Sequence, residues 1–418
     1  MSLLNRGPDG APPVPGGSVV ALRRRVLGRA VSGLLVLASL VAAVVLHVRH
    51  PDALVTLLPS TDMRELHVDF DTFWHSAVAL VAGDDIYDTP AKLTNLNPPL
   101  LTVLLVPFAL LDALTAYRVF ALFTLLLVAA SVLAVARELR LSRTVTVLAL
   151  VAVLASSPLH GTLVLGQIYP LLLAGLVAGW IAERRGRPVL AAVLYGVTVA
   201  LKPSLAPVLL LLVAQRRWVP LRAGIAAAVV ATLSGVLVAG PSSGIEWLKI
   251  AFTEPVPDTV DNASLPGLAV RFGVPSVFGM LLGAAVLVGT LVWIGRHRDR
   301  IDPAGTAPWA VLAAGLLFSP IAWHNYLLLL FPGVLALVPL GLGAITAAAL
   351  TVAVVPVSWN AEWPPESIAA DVARSLYFVI LVGYWAVLLS SSVRSPGSSG
   401  PSTPEEAAEP AAASAPPD

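Results

Sequence analysis

The sequence predicts an all-α protein that threads a membrane many times. Three observations carry the prediction. Hydrophobic residues make up 57% of the 418 residues and charged residues only 12%, about half the charge of an ordinary soluble domain. Mean hydropathy is +0.84. The apolar residues also come in long runs, separated by connections that are either short and arginine-rich or longer and acidic or aromatic. Such a chain has too little charge to cover a water-facing surface, so its apolar surface belongs to lipid. A cytosolic enzyme, a secreted domain and a nucleic-acid binder are excluded. The chain has no cysteine, which removes disulfides, thiolate metal sites and a cysteine nucleophile.

Residues 1–21 are rich in Gly and Pro and read as a disordered cytoplasmic N-terminus. Arg23, Arg24, Arg25 and Arg29 then flank an apolar run reaching about Val48. It is too long for a signal peptide and no A-x-A site follows, so it is expected to be an uncleaved first span. Its positive flank puts the N-terminus inside. The membrane domain is expected over 22–391, with the first outer loop at 49–112, and 392–418 reads as a disordered cytoplasmic tail. Twelve spans are expected, near 26–48, 113–136, 144–157, 167–182, 188–201, 204–214, 220–239, 276–294, 307–318, 326–339, 341–357 and 372–391.

The segment 98–111 follows Pro98-Pro99 and is apolar, but too short for the roughly 20 residues of a straight span. It suits a re-entrant helix, and charge agrees. If it stays outside, the inner face holds 18 Lys/Arg and the outer face 8; if it spans, the split becomes 10 and 16. The positive-inside rule selects the first. The acids then divide 9 inside and 16 outside, so a net charge of +1 hides +9 inside and −8 outside.

In that topology the unusual polar segments fall on the outer side: 67–88, 96–107, 166–170, 201–204, 261–271 and 318–326. Their concentration on one face marks a working surface. Asp69 and Asp71 open a segment in which Phe70, Phe73, Trp74, Ala77 and Leu80 recur at helical intervals, as in an amphipathic helix lying on the membrane. Residues two apart do not share a helix face. One aspartate is therefore expected to face the site and the other water. Lys202 is the one lysine in the span region; it either snorkels to headgroups or binds phosphate. Arg271, at the end of an outer loop, is either a headgroup anchor or a phosphate fork. Gln167 starts a span, Asn262-Ala263-Ser264 suits hydrogen bonding or capping, and His324 follows Ser319-Pro320 and Trp323. No His/Asp/Glu spacing reads as a metal site, and no Walker A, G-x-G-x-x-G or G-x-S-x-G motif occurs.

Taken together, these motifs resemble glycosyltransferase family 87, polytopic enzymes of the GT-C superfamily. The matching pieces are the D-F-x-x-aromatic helix leading to Gly83 and Tyr87, Asn97-Pro98-Pro99, and Gly166-Gln167. They continue with Leu201-Lys202-Pro203, Asn262-x-Ser264-Leu265 with Arg271, and Ser319-Pro320-x-x-Trp323. The resemblance implies a GT-C fold, and a polyprenyl-phosphate sugar passed to a cell-envelope glycolipid or polysaccharide on the outer face of the plasma membrane, with inversion. It implies no cofactor, and it does not imply metal dependence. Mannose in α-1,2 linkage is the sugar most common in such enzymes; arabinose is carried by some relatives. The resemblance places the catalytic base at Asp69, with Asp71 as the fallback. Lys202, Arg271, Gln167, Asn262 and Ser264 are expected at the donor and its phosphate, and His324 at the departing phosphate. Where the family motif ends in histidine this chain has Asn325, with His324 one residue early. A transporter or flippase of lipid-linked sugars is the alternative; it would carry charges midway through spans and an internal repeat.

Overall fold

The computed structural model describes residues 16–393 except 254, 258, 260 and 364–366, with side chains from residue 26 onward apart from Asn360. The segment 1–15 and the tail beyond 393 lie outside the described residues, so most of both expected disordered ends does too. Among the described residues the regular structure is helical, with two isolated β-bridges, Asn262 to Trp323 and Ile301 to Val393.

The long helix α1 (Gly16–Arg49) begins within the segment expected to be disordered. Two single turns, α2 (Asp52–Val55) and α3 (Met63–Leu66), lead into α4 (Val68–Ala82). Next come the short α5 (Pro99–Leu105) and a 3-10 turn Val106–Leu110. Together they form one apolar stretch, Pro99–Leu110, too short to cross a bilayer. Asp112 caps α6 (Ala113–Glu138) by accepting from the Thr115 N–H at 3.0 Å. Then follow α7 (Arg143–Leu154), α8 (Ser157–Leu165), α9 (Tyr169–Arg184), α10 (Pro188–Leu201), α11 (Pro207–Ala214), α12 (Trp218–Ala239), α13 (Pro241–Thr253) and α14 (Leu265–Arg271). The chain closes with α15 (Ser276–Arg296), α16 (Ala307–Phe318), α17 (Phe331–Leu335), α18 (Gly343–Val352), α19 (Ile368–Arg374) and α20 (Leu376–Ser390).

Four described helices are long and apolar enough to cross a membrane, α1 (over Val26–Arg49), α6, α12 and α15, and six if each bent pair, α7 with α8 and α19 with α20, counts as one. Among the described residues, the other expected spans fall on apolar helices too short to cross a bilayer as single straight spans. The reason lies in proline. Proline stands in the first turn of α5, α8, α9, α10, α11, α14, α16 and α17. It lacks an N–H and suits a helix start, so each one opens a new helix rather than extending the last. The stretch 158–166, left between the expected spans 144–157 and 167–182, is mostly helix α8. The expected span 326–339 is a 3-10 stretch (His324–Leu330) followed by α17, and its residues are almost all buried. It runs through the protein core, where an apolar run looks the same in sequence as one meant for lipid.

Candidate active site

The site is built where α4 meets the turn between α8 and α9. Phe70, buried at the start of α4, packs on Phe108, Tyr117 and Phe120 with ring centroids 6.2, 5.5 and 4.9 Å away. Trp74 donates from Nε1 to the carbonyls of Phe108 and Leu111, each at 3.2 Å. The helix predicted to lie on lipid thus lies on α6 and on the short helices after Pro99. His67 pins its N-terminus. The ring is buried, stacks on Tyr117 at 3.8 Å, donates from Nδ1 to the Val164 carbonyl at 2.7 Å and accepts the Ser60 N–H on Nε2 at 3.1 Å. One nitrogen donates and the other accepts, so the ring is held as a single neutral tautomer. Burial pushes its pKa below the ordinary histidine value.

Gly166 makes the approach possible. Its φ of +76° is left-handed, and a Cβ there would sit well inside 3 Å of the Phe70 Cβ. With α4 this close, the next residue, Gln167, donates from Nε2 to Asp69 Oδ2 at 2.6 Å. Asp69 keeps some accessible surface, yet protein crowds its carboxylate. That loss of water raises its pKa to about 6, against the opposing pull of Gln167 and the Lys202 charge, and the charge of Asp261 raises it further. Asp71 points elsewhere. It is buried rather than in water, 3.7 Å from His75, so the expectation of a solvated second aspartate fails. Burial raises its pKa too.

Lys202 ends α10 and donates from Nζ to Asn97 Oδ1 at 3.1 Å, with its ammonium 6.0 Å from the Tyr326 ring centre. Asn97 is itself fixed. Its N–H and Nδ2 donate to Asn95 Oδ1 at 3.0 and 3.2 Å, and its carbonyl accepts from the Tyr87 hydroxyl at 2.8 Å. Tyr326 in turn meets Tyr169 with ring centres 4.5 Å apart. Asp69, Gln167, Lys202 and their aromatic neighbours therefore come from five different segments to one place.

Asn262, Ser264 and Arg271 do something other than expected. Asn262 Nδ2 donates to the carbonyls of Pro257 and Pro320, both at 3.2 Å, and its Oδ1 accepts from Ser264 N–H at 3.2 Å and Ala322 N–H at 3.1 Å. Ser264 Oγ caps α14 by accepting from Gly267 N–H at 3.0 Å. Arg271 donates to Ser375 Oγ at 2.8 Å and to the carbonyls of Thr259 and Asn262, each at 2.9 Å. Buried polar groups need partners, and here the partners are the protein's own. Asn262 and Ser264 tie residues 262–264 to Pro320 and Ala322, and Arg271 ties Thr259 and Asn262 to Ser375.

The same loop brings in a residue the sequence reading missed. Asp261 Oδ2 lies 3.6 Å from His324 Nδ1. Only its place beside Asn262 hinted at a role, because its partner sits in another loop. Asn325, in the position of the family histidine, is fully buried, and among the described residues its amide has no hydrogen-bond partner. No three His, Asp or Glu side chains converge to hold a metal among the described residues.

The model of glycosyltransferase family 87 matches residues 95–320. An alpha-(1->3)-arabinofuranosyltransferase of Mycobacterium tuberculosis is 29% identical over 344 residues, 77% of this chain and 76% of that protein. Proteins of the same name from Mycolicibacterium smegmatis and Corynebacterium glutamicum are 27% and 26% identical, over 65% and 64% of this chain and 66% and 67% of theirs. A crystal structure of ArnT from Cupriavidus metallidurans bound to undecaprenyl phosphate is similar with a TM-score of 0.41 and 16% identity, covering 83% of this chain and 76% of that one.

Proposed function

Because the chain belongs to glycosyltransferase family 87, we propose that this membrane glycosyltransferase moves an arabinofuranosyl residue from a polyprenyl-phosphate donor to a cell-envelope glycan on the outer face of the plasma membrane. The relatives named above are arabinofuranosyltransferases. That favours arabinose over the mannose in α-1,2 linkage expected from the family at large.

One observation carries the mechanism: a partly exposed carboxylate with a raised pKa, held by Gln167 beside an ammonium group. Asp69 takes the proton from an acceptor hydroxyl. The freed oxygen attacks the anomeric carbon from the face opposite the phosphate, the carbon–phosphate-oxygen bond breaks, and the phosphate leaves with the electron pair. A β-linked donor thus gives an α-linked product. Lys202, aimed by Asn97, stabilises the charge that gathers on the departing phosphate. A phosphate monoester leaves without protonation by a second carboxylic acid, unlike the leaving group of a glycosidase.

The donor's apolar tail has a matching surface. An apolar groove of about 370 Å³, lined by Leu104, Phe108, Phe120, Phe123, Ile168 and Leu171 among others, begins one residue from Gln167. Leu104 and Phe123 are nearly half exposed, so it opens sideways. We read the groove as the seat of the tail because its Ile168 directly follows Gln167, the residue that holds Asp69. The test is transfer in membranes from radiolabelled polyprenyl-phosphate arabinofuranose. Asp69→Asn, inserted at normal levels, is expected to lose at least about 100-fold in rate. Substantial activity in that variant removes the general-base assignment.

A further inference from the structure

His324 was expected at the departing phosphate, but its surroundings close it off. Its side chain is only 4% exposed. The Nε2 edge lies on Gly161, where an added Cβ would come within 3 Å of it, and the Tyr377 ring lies alongside with centres 5.0 Å apart. The Nδ1 edge faces Asp261. The histidine therefore has no open edge for a substrate. Asp261 does: its side chain is 25% exposed, and His324 beside it stands two residues before Tyr326, whose ring meets Lys202 and Tyr169. The backbone holds the two opposite each other, because Ala263 N–H donates to the Ala322 carbonyl at 2.7 Å and Asn262 bridges to Trp323. The bonds of Asn262 and Ser264 to Pro320 and Ala322 hold this pairing in place.

We propose that Asp261 is a second carboxylate of the active site, facing the reacting sugar, and that His324 is its positioning residue. The inference rests on the transfer reaction proposed above. Asp261 forms no covalent bond. As the phosphate leaves, positive charge spreads over the anomeric carbon and ring oxygen, and a fixed carboxylate beside the ring stabilises that charge. A carboxylate next to the phosphate would repel it, so the side of the site belonging to Asp261 is the sugar side and the side belonging to Lys202 is the phosphate side. The two acids are driven apart in character. Burial pushes Asp261 upward, but the His324 imidazole and Thr259 outweigh it and hold its pKa below the ordinary carboxylate value. Asp69, facing Gln167, Lys202, Tyr169 and Asp261, is raised. Carboxylates whose environments separate their pKa values take separate roles: Asp261 supplies fixed charge, and Asp69 accepts the proton.

The closing experiment uses the full-length protein in lipid nanodiscs. Asp261→Asn keeps the shape and removes the charge. Its kcat is expected to fall about 10- to 100-fold with donor KM within about threefold of wild type. The acidic limb of log kcat/KM against pH is also expected to move to lower pH by at least about half a unit, since a like charge beside Asp69 is gone. His324→Gln is expected to show the same direction with a smaller loss, and Asp261→Glu to recover part of kcat. A merely structural Asp261 leaves the limb where it was, and that result overturns the proposal, as does a loss confined to KM. The failure of the transfer reading is separate, because it shows in the wild type, which would then transfer nothing. In that case the infrared carboxyl band lost in Asp69→Asn, followed against pH without substrate, decides the inference alone. A lower midpoint in Asp261→Asn supports it and an unchanged midpoint refutes it.

Discussion

Asp69→Asn is expected to stabilise the protein at neutral pH while abolishing its activity. The carboxylate has an ordinary pKa of 3.8 when unfolded and about 6 when folded. The folded state therefore holds this proton more tightly, and ionising it costs stability. About two pKa units at about 1.4 kcal/mol each give close to 3 kcal/mol as an upper figure. Asp69 keeps some solvent, and the asparagine still accepts from Gln167, so a gain of about 1–3 kcal/mol is expected. The sign follows from linkage. Below pH 4 the aspartate is protonated in both states and wild type and variant match. Between pH 4 and 6 the wild type loses stability that the variant keeps, and above pH 6 the gap is constant. The ten tryptophans allow thermal unfolding to be followed by intrinsic fluorescence in nanodiscs. At pH 7.5 the variant should melt a few degrees higher, since about 1 kcal/mol shifts Tm by about 2–4 °C in a mid-sized domain. At pH 4 the two should coincide. A variant that melts lower at pH 7.5, or a gap that does not change with pH, refutes the raised carboxylate.

Two other substitutions probe the same cluster from different sides. Lys202→Met removes the ammonium but keeps a chain of similar length; kcat/KM for the donor should drop about 100- to 1,000-fold. Its acidic limb should move to higher pH, opposite to that of Asp261→Asn, because the Lys202 charge holds the Asp69 pKa down; pH–rate profiles of the two variants show whether the signs differ. Gly166→Ala forces a left-handed φ on a residue with a Cβ and drives that Cβ into Phe70. The strain should cost about 2–5 kcal/mol, lower the melting temperature and part Gln167 from Asp69, whereas Gly186→Ala, with a similar φ and open space around it, should cost only the conformational part.

Much of this arrangement is legible in the sequence, and the rest is not for physical reasons. A charged or amide side chain in an apolar chain stands out, which is why Gln167, Lys202 and the pair Asp69 and Asp71 drew notice; the family resemblance chose Asp69 between the two aspartates. The short apolar stretch after Pro99 was readable from its length. What a polar side chain bonds to is not written in its neighbours. Asn262, Ser264 and Arg271 are where a donor-binding reading would want them, and their partners are backbone carbonyls, backbone N–H groups and the Ser375 hydroxyl, brought in by α14, the end of α19 and the 320–323 loop. Asp261 escaped because its meaning depends on His324, far along the chain. Hydropathy also cannot separate a helix against lipid from a segment in the protein core, so 326–339 read as a span while Leu327 to Leu330 are at most 1% exposed.

Sugar transfer from a lipid phosphate, with Asp69 as the base, can be followed on the isolated protein. Its most direct test is purified protein in nanodiscs, given polyprenyl-phosphate arabinofuranose or polyprenyl-phosphate mannose in parallel with an arabinan acceptor, with the product linkage read by mass spectrometry. Wild type is expected to give an α-linked arabinofuranosyl product, Asp69→Asn none, and neither a mannosyl product. Transfer from neither donor, or equal transfer by wild type and Asp69→Asn, contradicts this expectation.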